Sequence, residues 1–595
     1  MNQPIAAPPA IATEIERHWR QLTLVAWLAI AAWFVFDRWN GIYWLSLSDT
    51  DDNMRLMQVR ALLNGQGWYD LRQYRLNPPA GYDIHWTRLV DLPIAGLILA
   101  IRPFAGSFWA ERLACGIAPL LPLAVTMLAL AAAIRRLVSP LAWPLALIFL
   151  MMCTATMLMF MPNRIDHHGW QLASLAVIVA GLADRQGGRG GLAVGLASAV
   201  SLTIGLEMLP YAAGAGAIIA LRWVWDGAEA RRMMVYGAAL GGGSALGYAG
   251  FASYANAALR CDALTPVWLS VMVAAGALLV VMGRINPASR AARLALAAAA
   301  GAVIVGAFAY AFPQCLGRPE QASPELQRNW LDNIREAKPV YKHPFKTAFP
   351  VVALPIIGVI GAAVATWRAR GGPMLAAWAA VLLFCALAGA MLLWQARTGP
   401  AAQLLGVPGA VALGWLLMPR TLASKSLLVR VIGTPLVFVI LSGAFAGLIL
   451  PYLPADKPSA QAGRVRRASA SCPSYTVLRP LDALPAQTIY SFVDLGPRLI
   501  TVTHHRAIAG PYHRNGDAIL DVQHGFGGSA AQFRAIARAH GATLLLICPD
   551  MAEATIYRSR NPGGFYDRLS RGQVPGWLEP VPLPRRSPLM LWRIR

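Results

Sequence analysis

Apolar runs of about 20 residues recur along the first three quarters of the chain, and nothing else in the sequence constrains the fold as strongly. A run of that length spans the hydrocarbon of a bilayer as a helix, because lipid tolerates only structures that satisfy their own backbone hydrogen bonds. Bounded by charge, the runs fall near 21–37, 112–134, 140–161, 170–184, 191–206, 208–225, 233–255, 264–283, 294–312, 347–367, 373–394, 401–418 and 431–453. That makes about thirteen spans. With 56% hydrophobic and 14% charged residues over 595 positions, a soluble multidomain globule is excluded.

Orientation follows from the arginines. With the amino terminus in the cytoplasm, the inner loops carry Arg17/Arg20, Arg135/Arg136, Arg185/Arg189, Arg231/Arg232, Arg284/Arg290/Arg293, Arg368/Arg370 and Arg420/Lys425/Arg430. Every short inner loop is then basic. The stretch "LVDLPIAGLILAIRPF" at 89–104 would invert everything downstream if it spanned, so it reads as a re-entrant or interfacial helix on the outer side. The amino-terminal segment lacks signal-peptide shape, which makes the first span an uncleaved anchor.

An odd span count puts residues 454–595 outside the cytoplasm, in the periplasm of a bacterium, while 1–453 forms the membrane domain with long outer loops at 39–111 and 313–346. The tail changes to polar, Gly/Pro-punctuated sequence with strand-like runs such as "TLLLICPD", which predicts a small mixed α/β domain. It holds 18 Lys/Arg against 9 Asp/Glu, a surplus suited to an anionic membrane surface or an anionic substrate. Cys115, Cys153 and Cys385 fall inside spans, and the outward-facing cysteines allow the pairs Cys472–Cys548 and Cys261–Cys315.

Two acidic clusters share the outer face. "SDTDDNMR" at 48–55 offers Asp49, Asp51 and Asp52 after the first span, and "MPNRIDHHGWQ" at 161–171 offers Asp166, His167 and His168 between two later ones. Carboxylates with an imidazole suit Mn²⁺ or Mg²⁺, and an octahedral ion leaves positions open for phosphate oxygens. An aspartate at that turn also suits a plain helix cap for the span starting near Trp170. The polar outer loop 313–346 carries Glu336, and Arg397 lies at the outer end of a span, where a guanidinium either snorkels or grips a lipid phosphate.

These features together resemble the GT-C membrane glycosyltransferases, and within them the catalytic subunit of oligosaccharyltransferase. Asp49, Asn53 and Arg55 match the family's motif after the first span, "GQGWYDLRQYRLNPPAGYDIHW" its Gly-aromatic segment, and Asp166 with His168 its Asp-x-His metal motif. Glu336 and Pro339 fit the glutamate motif of the family's mobile outer loop, although "NIR" replaces the Ser/Thr residues before the glutamate, and Arg397 fits its donor-phosphate arginine. The tail departs from the pattern. In "FVDLGPRLITVTHHRAIAGPYHRN", Asp494 and Gly496 keep the Asp-x-Gly core of the acceptor motif, but both tryptophans are missing.

The resemblance implies an inverting, metal-dependent transferase. It would move a sugar or oligosaccharide from a polyprenyl-(di)phosphate donor in the membrane to a protein, lipid or glycan acceptor, with no role for nucleic acid. Asp49, Asp166 and His168 would hold the ion and Arg397 the phosphate, while Glu336, Asp51 or Asp52 would activate the acceptor. Asp494, His167, His504 and His505 would form an acceptor surface. Transfer of one sugar from a polyprenyl monophosphate to lipid A or another glycan is the alternative within the superfamily, and a lipid-linked glycan flippase the alternative outside it. Ionisable residues at one face, rather than at mid-membrane, argue against transport.

Overall fold

The computed structural model describes residues 10–453 and 459–595; the opening polar segment and the 453/454 domain boundary lie at or outside those limits. Nearly every expected span is helical. Helices α1 (Trp19–Asp37), α2 (Thr50–Leu63), α3 (Asp91–Ile117), α4 (Leu120–Leu137), α5 (Trp143–Met152), α6 (His168–Leu182), α7 (Gly187–Ile204) and α8 (Leu209–Trp225) form the first half. The bundle continues with α9 (Ala230–Phe251), α10 (Pro266–Ile285), α11 (Arg290–Ala311), α12 (Phe345–Arg368), α13 (Leu375–Met391) and α14 (Gly399–Leu422). Among the described residues, seven helical stretches are long and apolar enough to cross a membrane, and an eighth would be a bent pair.

Three stretches differ from the reading of the sequence. The apolar segment 89–104 is helical as expected and ends at a kink at Gly106, whose φ of 72° suits a residue without a Cβ; a second helical piece of α3 then runs on to Ile117. The expected span 112–134 is therefore divided between α3 and α4, with Ala118 and Pro119 at the junction. The last span is not straight either, since the helix ending at Leu441 and the one starting at Ala444 meet at 98° around Gly443, φ 76°. In the stretch 140–161, α5 stops at Met152, and the amides of Ala155 and Thr156 donate to Gln403 Oε1 at 2.9 and 3.3 Å. A side chain from α14 thus satisfies backbone groups that a broken helix would leave bare in lipid.

Small residues bring α12 and α14 into backbone contact. A Cβ on Gly409 would stand 1.9 Å from the Gly358 carbonyl oxygen, and one on Gly361 2.0 Å from that of Gly409. Without a hydrophobic drive between helices in lipid, such close approach is what holds them together. Gly409→Leu should force the pair apart at a cost of about 2–3 kcal/mol. Thermal unfolding in detergent tests this, and an unchanged midpoint would refute the backbone contact.

Beyond the membrane region lies a mixed five-stranded sheet of order β2-β1-β3-β5-β4, from β1 (Thr488–Tyr490), β2 (Arg506–Ala507), β3 (Leu544–Ile547), β4 (Leu578–Pro580) and β5 (Met590–Ile594). β1 pairs in parallel with β2 and β3, and β5 pairs antiparallel with β3 and β4. The strand-like run "TLLLICPD" becomes β3, with all four of its residues buried. Both cysteine pairs are disulfides: Cys472–Cys548 inside this domain and Cys261–Cys315 between two outer loops.

The domain does not close its core alone. Met54, Met57, Leu76, Tyr82 and Trp86 from the first outer loop, and Leu326 from the loop at 313–346, are buried in the same cluster as Tyr490, Phe492, Phe526 and Leu545. The first loop also extends the sheet, because Asn77 N donates to Ala507 O and Ala507 N to Arg75 O at 2.9 and 3.0 Å. Arg514 reaches both oxygens of Asp262 at 2.7 Å, beside the Cys261 disulfide. Buried Arg498 donates to Leu45 O and Asn53 Oδ1, fixing the domain over the start of α2.

Candidate functional site

Three breaks between helices meet beneath the soluble domain. The first is the start of α2, where Asp49 in extended backbone caps the helix, its Oδ1 accepting from Thr50 N at 2.6 Å. Its other oxygen takes Arg164 Nη1 at 2.9 Å. Asp52, fully buried, accepts from the Asp166 amide at 2.9 Å and lies 3.3 Å from the same guanidinium nitrogen. Asp51 faces the same cluster. Burial, then the Asp166 and Asp49 carboxylates, push it well above the usual carboxylate range, and burial takes Asp52 up to about 7 against the pull of Arg164. Asn53 and Arg55 frame the turn: Asn53 donates to Asp49 O at 2.7 Å, and Arg55 pairs with buried Asp91 at 2.9 Å over the Trp86 ring.

The second break precedes α6. Asn163 adopts φ 72°, with its amide on Cys115 O and its side chain on Ser46 O, which turns Arg164 into the acidic cluster. Arg164 Nη2 lies 3.2 Å from Asp166 Oδ2, so one guanidinium touches Asp49, Asp52 and Asp166. Asp166 accepts from the His167 amide and stands 2.6 Å from His167 Nδ1 and 3.4 Å from His168 Nε2. The residue at the helix start is His167, with no side-chain cap, so Asp166 is turned toward the cluster instead of serving as a cap.

The third break, between α7 and α8, supplies a residue that the sequence reading missed. Glu207 Oε1 lies 3.3 Å from His167 Nε2, and its Oε2 accepts from Gln171 Nε2 at 2.9 Å. His168 Nδ1 in turn lies 3.2 Å from Gln171 Oε1. His167 is thus held between two carboxylates. Although burial opposes it, Asp166 and Glu207 raise His167 to about 10, and the imidazoles hold both carboxylates well below their usual range. The only sequence signal was one acid in "TIGLEMLP", at the seam of two apolar runs.

A divalent cation fits this cluster. Asp166, His167 and His168 offer ligand atoms all within 4.8 Å of one another. His167 has a carboxylate at each ring nitrogen, which leaves Asp166 Oδ2, buried and without a hydrogen-bond partner, beside His168 Nε2. That oxygen makes no hydrogen bond and has the ion pair to Arg164 Nη2 at 3.2 Å, so a divalent ion seated there would take over a charge balance that the guanidinium now holds. Arg164 now neutralises the carboxylates that such an ion would share.

The soluble domain completes one wall. Tyr512 donates to Thr50 O at 3.0 Å, and Glu553, buried, accepts from the amides of Val493 and Asp494 at 2.9 Å each. Asp494 is solvent-exposed beside this wall, and the surrounding protein and then the Asp49 carboxylate raise it to about 6.

Other expected site residues lie elsewhere. Glu336 and Arg397 are exposed, on segments joined by the bond from Ala396 N to Lys338 O at 2.8 Å; among the described residues, no ion pair ties either to the acidic cluster. His504 and His505 group with Asp482 within their own domain, their Nε2 atoms on Leu484 O and Leu481 O at 2.8 and 2.9 Å. His513 meets Asp262 and His524 meets Glu325, each at 2.6 Å.

No protein family compared matches the chain, and no curated protein does. Solved structures do. The archaeal oligosaccharyltransferase AglB of Archaeoglobus fulgidus, in complex with an inhibitory peptide and a dolichol-phosphate, superposes with a TM-score of 0.68 at 12% identity, over 95% of this chain and 73% of that one. The same enzyme tethered to an acceptor peptide containing the NVT sequon gives 0.66 at 14%, over 96% and 74%. Its complex with Zn and sulfate gives 0.61 at 13%, over 94% and 72%. The fold is therefore the one these oligosaccharyltransferase structures have, a polytopic helical region with a smaller mixed α/β domain, as expected.

Proposed function

We propose that this chain is a polyprenyl-phosphate-dependent glycosyltransferase acting at the outer, periplasmic face of a bacterial inner membrane, with its amino terminus in the cytoplasm. The observation that carries this reading is the meeting of Asp49, Asp51, Asp52, Asp166, His168 and Glu207 at one end of an apolar helical bundle, beneath a docked soluble domain, in a fold shared with a lipid-dependent sugar transferase.

Asp166 and His168, with Asp49 across Arg164, would hold a divalent ion, Mn²⁺ or Mg²⁺. Bound there, the ion would supply positive charge to the phosphate leaving the sugar. The remaining steps belong to the chain's own groups. Arg164 sets the spacing of three carboxylates that would otherwise repel each other. The docked domain, fastened by Arg498 and Tyr512, narrows access of water, which strengthens every charge interaction within. Arg397, at the outer end of α13 and start of α14, and Glu336, on the segment bonded to it, are available to a lipid phosphate and an acceptor arriving from the membrane side.

The test uses the purified chain and lipid-linked glycans extracted from the host, with host membranes as acceptor. Release of polyprenyl phosphate should require added Mn²⁺ or Mg²⁺ and fall to background with a chelator. Bound donor with no release in any metal would sink the transferase reading in favour of transport.

A further inference from the structure

The helix that leads into the outer domain, Ala460–Ser471, reads AQAGRVRRASAS, with three arginines and no acid. Its far end is fixed at the level where the membrane stops. Arg498 donates from Nε to Pro473 O and from Nη1 to Leu45 O, each at 2.8 Å, and the Tyr475 ring lies 6.2 Å from that of Trp44. Arg112 of α3 stands 3.6 Å over the Phe108 ring and 5.6 Å over that of Tyr475. Together with the stacked Trp39–Trp109 pair just past the outer end of α1, these rings form an aromatic belt of the kind that sits at the headgroup boundary. Tyr475 joins that belt from the outer domain.

The rest of the helix stays low too. Arg464 Nε faces Asp550 Oδ1 at 3.8 Å, and three positions on, Glu553 holds the backbone of Val493 and Asp494 beside the acidic cluster. Leu453, seven positions before the helix, accepts from Lys346 Nζ at 2.7 Å next to the outer start of α12. Ala468 and Cys472, one turn apart, are buried in the core of the outer domain. Arg466 and Arg467 project from the other side, both exposed, and among the described residues neither has an ion-pair partner. A helix pinned at the belt and packed against the domain above it turns its free face toward headgroups.

We infer that Ala460–Ser471 is a docking surface for the anionic phospholipids of the surrounding leaflet, with Arg466 and Arg467, flanked by Arg464, taking lipid phosphates. The guanidinium fork matches a phosphate group, and basic clusters beside a span are drawn to anionic headgroups. The contact is independent of the transferase chemistry. It gives the outer domain a second footing on the bilayer, beside the one through Arg498.

The experiment places the full chain in lipid discs of phosphatidylcholine, with or without about one third phosphatidylglycerol, and follows amide exchange over residues 459–471. Exchange should slow about tenfold in the anionic discs, and high salt should remove that protection. The variant Arg464→Gln, Arg466→Gln, Arg467→Gln should exchange alike in both discs, whereas lysines at the same three positions should keep the response. The thermal midpoint in neutral discs checks that the Gln variant is folded; if it is not, the parent in its two discs and in high salt decides. Equal exchange of the parent in both discs, protection unmoved by salt, or a response surviving in a folded Gln variant would overturn the inference. So would protection by polyprenyl phosphate with none by phosphatidylglycerol, which would mark a specific lipid site instead.

Discussion

Asp166→Ala is expected to abolish metal-dependent release of polyprenyl phosphate, with a loss of about a thousandfold or ~4 kcal/mol of transition-state stabilisation. The size follows from position. Asp166 alone among the carboxylates touches the Asp52, Arg164, His167 and His168 positions together, through its amide or its side chain. Its Oδ2 is also buried and makes no hydrogen bond, facing Arg164 Nη2 at 3.2 Å. Removing it leaves Arg164 and the imidazolium of His167 with one fewer counter-charge, so a folding defect must be separated from a catalytic one. Asp166→Asn keeps the shape, and should keep the thermal midpoint near that of the parent while still losing the metal response. Equal metal-dependent rates in parent and both variants would remove Asp166 from the chemistry.

The second large effect concerns stability. Cys472–Cys548 closes a separation of 76 residues within the outer domain. Opening it by Cys472→Ser with Cys548→Ser frees the unfolded chain, which in the chain-entropy account costs about 4 kcal/mol. The link joins the end of the helix at Ala460–Ser471 to the residue just after β3, so its loss detaches the segment that follows the membrane region from the sheet. Thermal unfolding and limited proteolysis of the full protein in detergent should show the outer domain melting earlier and cleaved faster. A variant as protease-resistant as the parent would mean that the shared core holds the domain unaided.

Much of this was legible in the sequence because hydropathy and charge act locally. The helical segments, the strand at β3 and the two acidic loops are each written in consecutive residues. Asp166 and His168 could be paired for the same reason. What stayed hidden depends on tertiary approach. Glu207 is a single acid between apolar runs, and only folding brings it to His167, 40 positions earlier. Arg164 was visible as a residue but not as the bridge among three aspartates, since two of them belong to another loop. The break after Met152 depends on Gln403, about 250 positions away, and the second helical piece of α3, beyond the kink at Gly106, takes residues that hydropathy assigned to the next span. Glu336 and Arg397 stand out by their places on a long polar loop and at a span end as well as by resemblance, and the structure joins their segments to each other, not to the acidic cluster.

The core shared between the first outer loop and the outer domain sets an order for biosynthesis. Tyr82 and Trp86 are made early, yet Tyr512, which packs on both, emerges more than 400 positions later. Until then the loop presents large aromatic side chains without a partner, and Thr50 and Asn53 lack the contacts that hold the start of α2 in place. The acidic cluster therefore matures only once the last segment has been made and has docked. A ribosome that stalls late leaves a chain whose helices are made but whose acidic cluster is still unassembled.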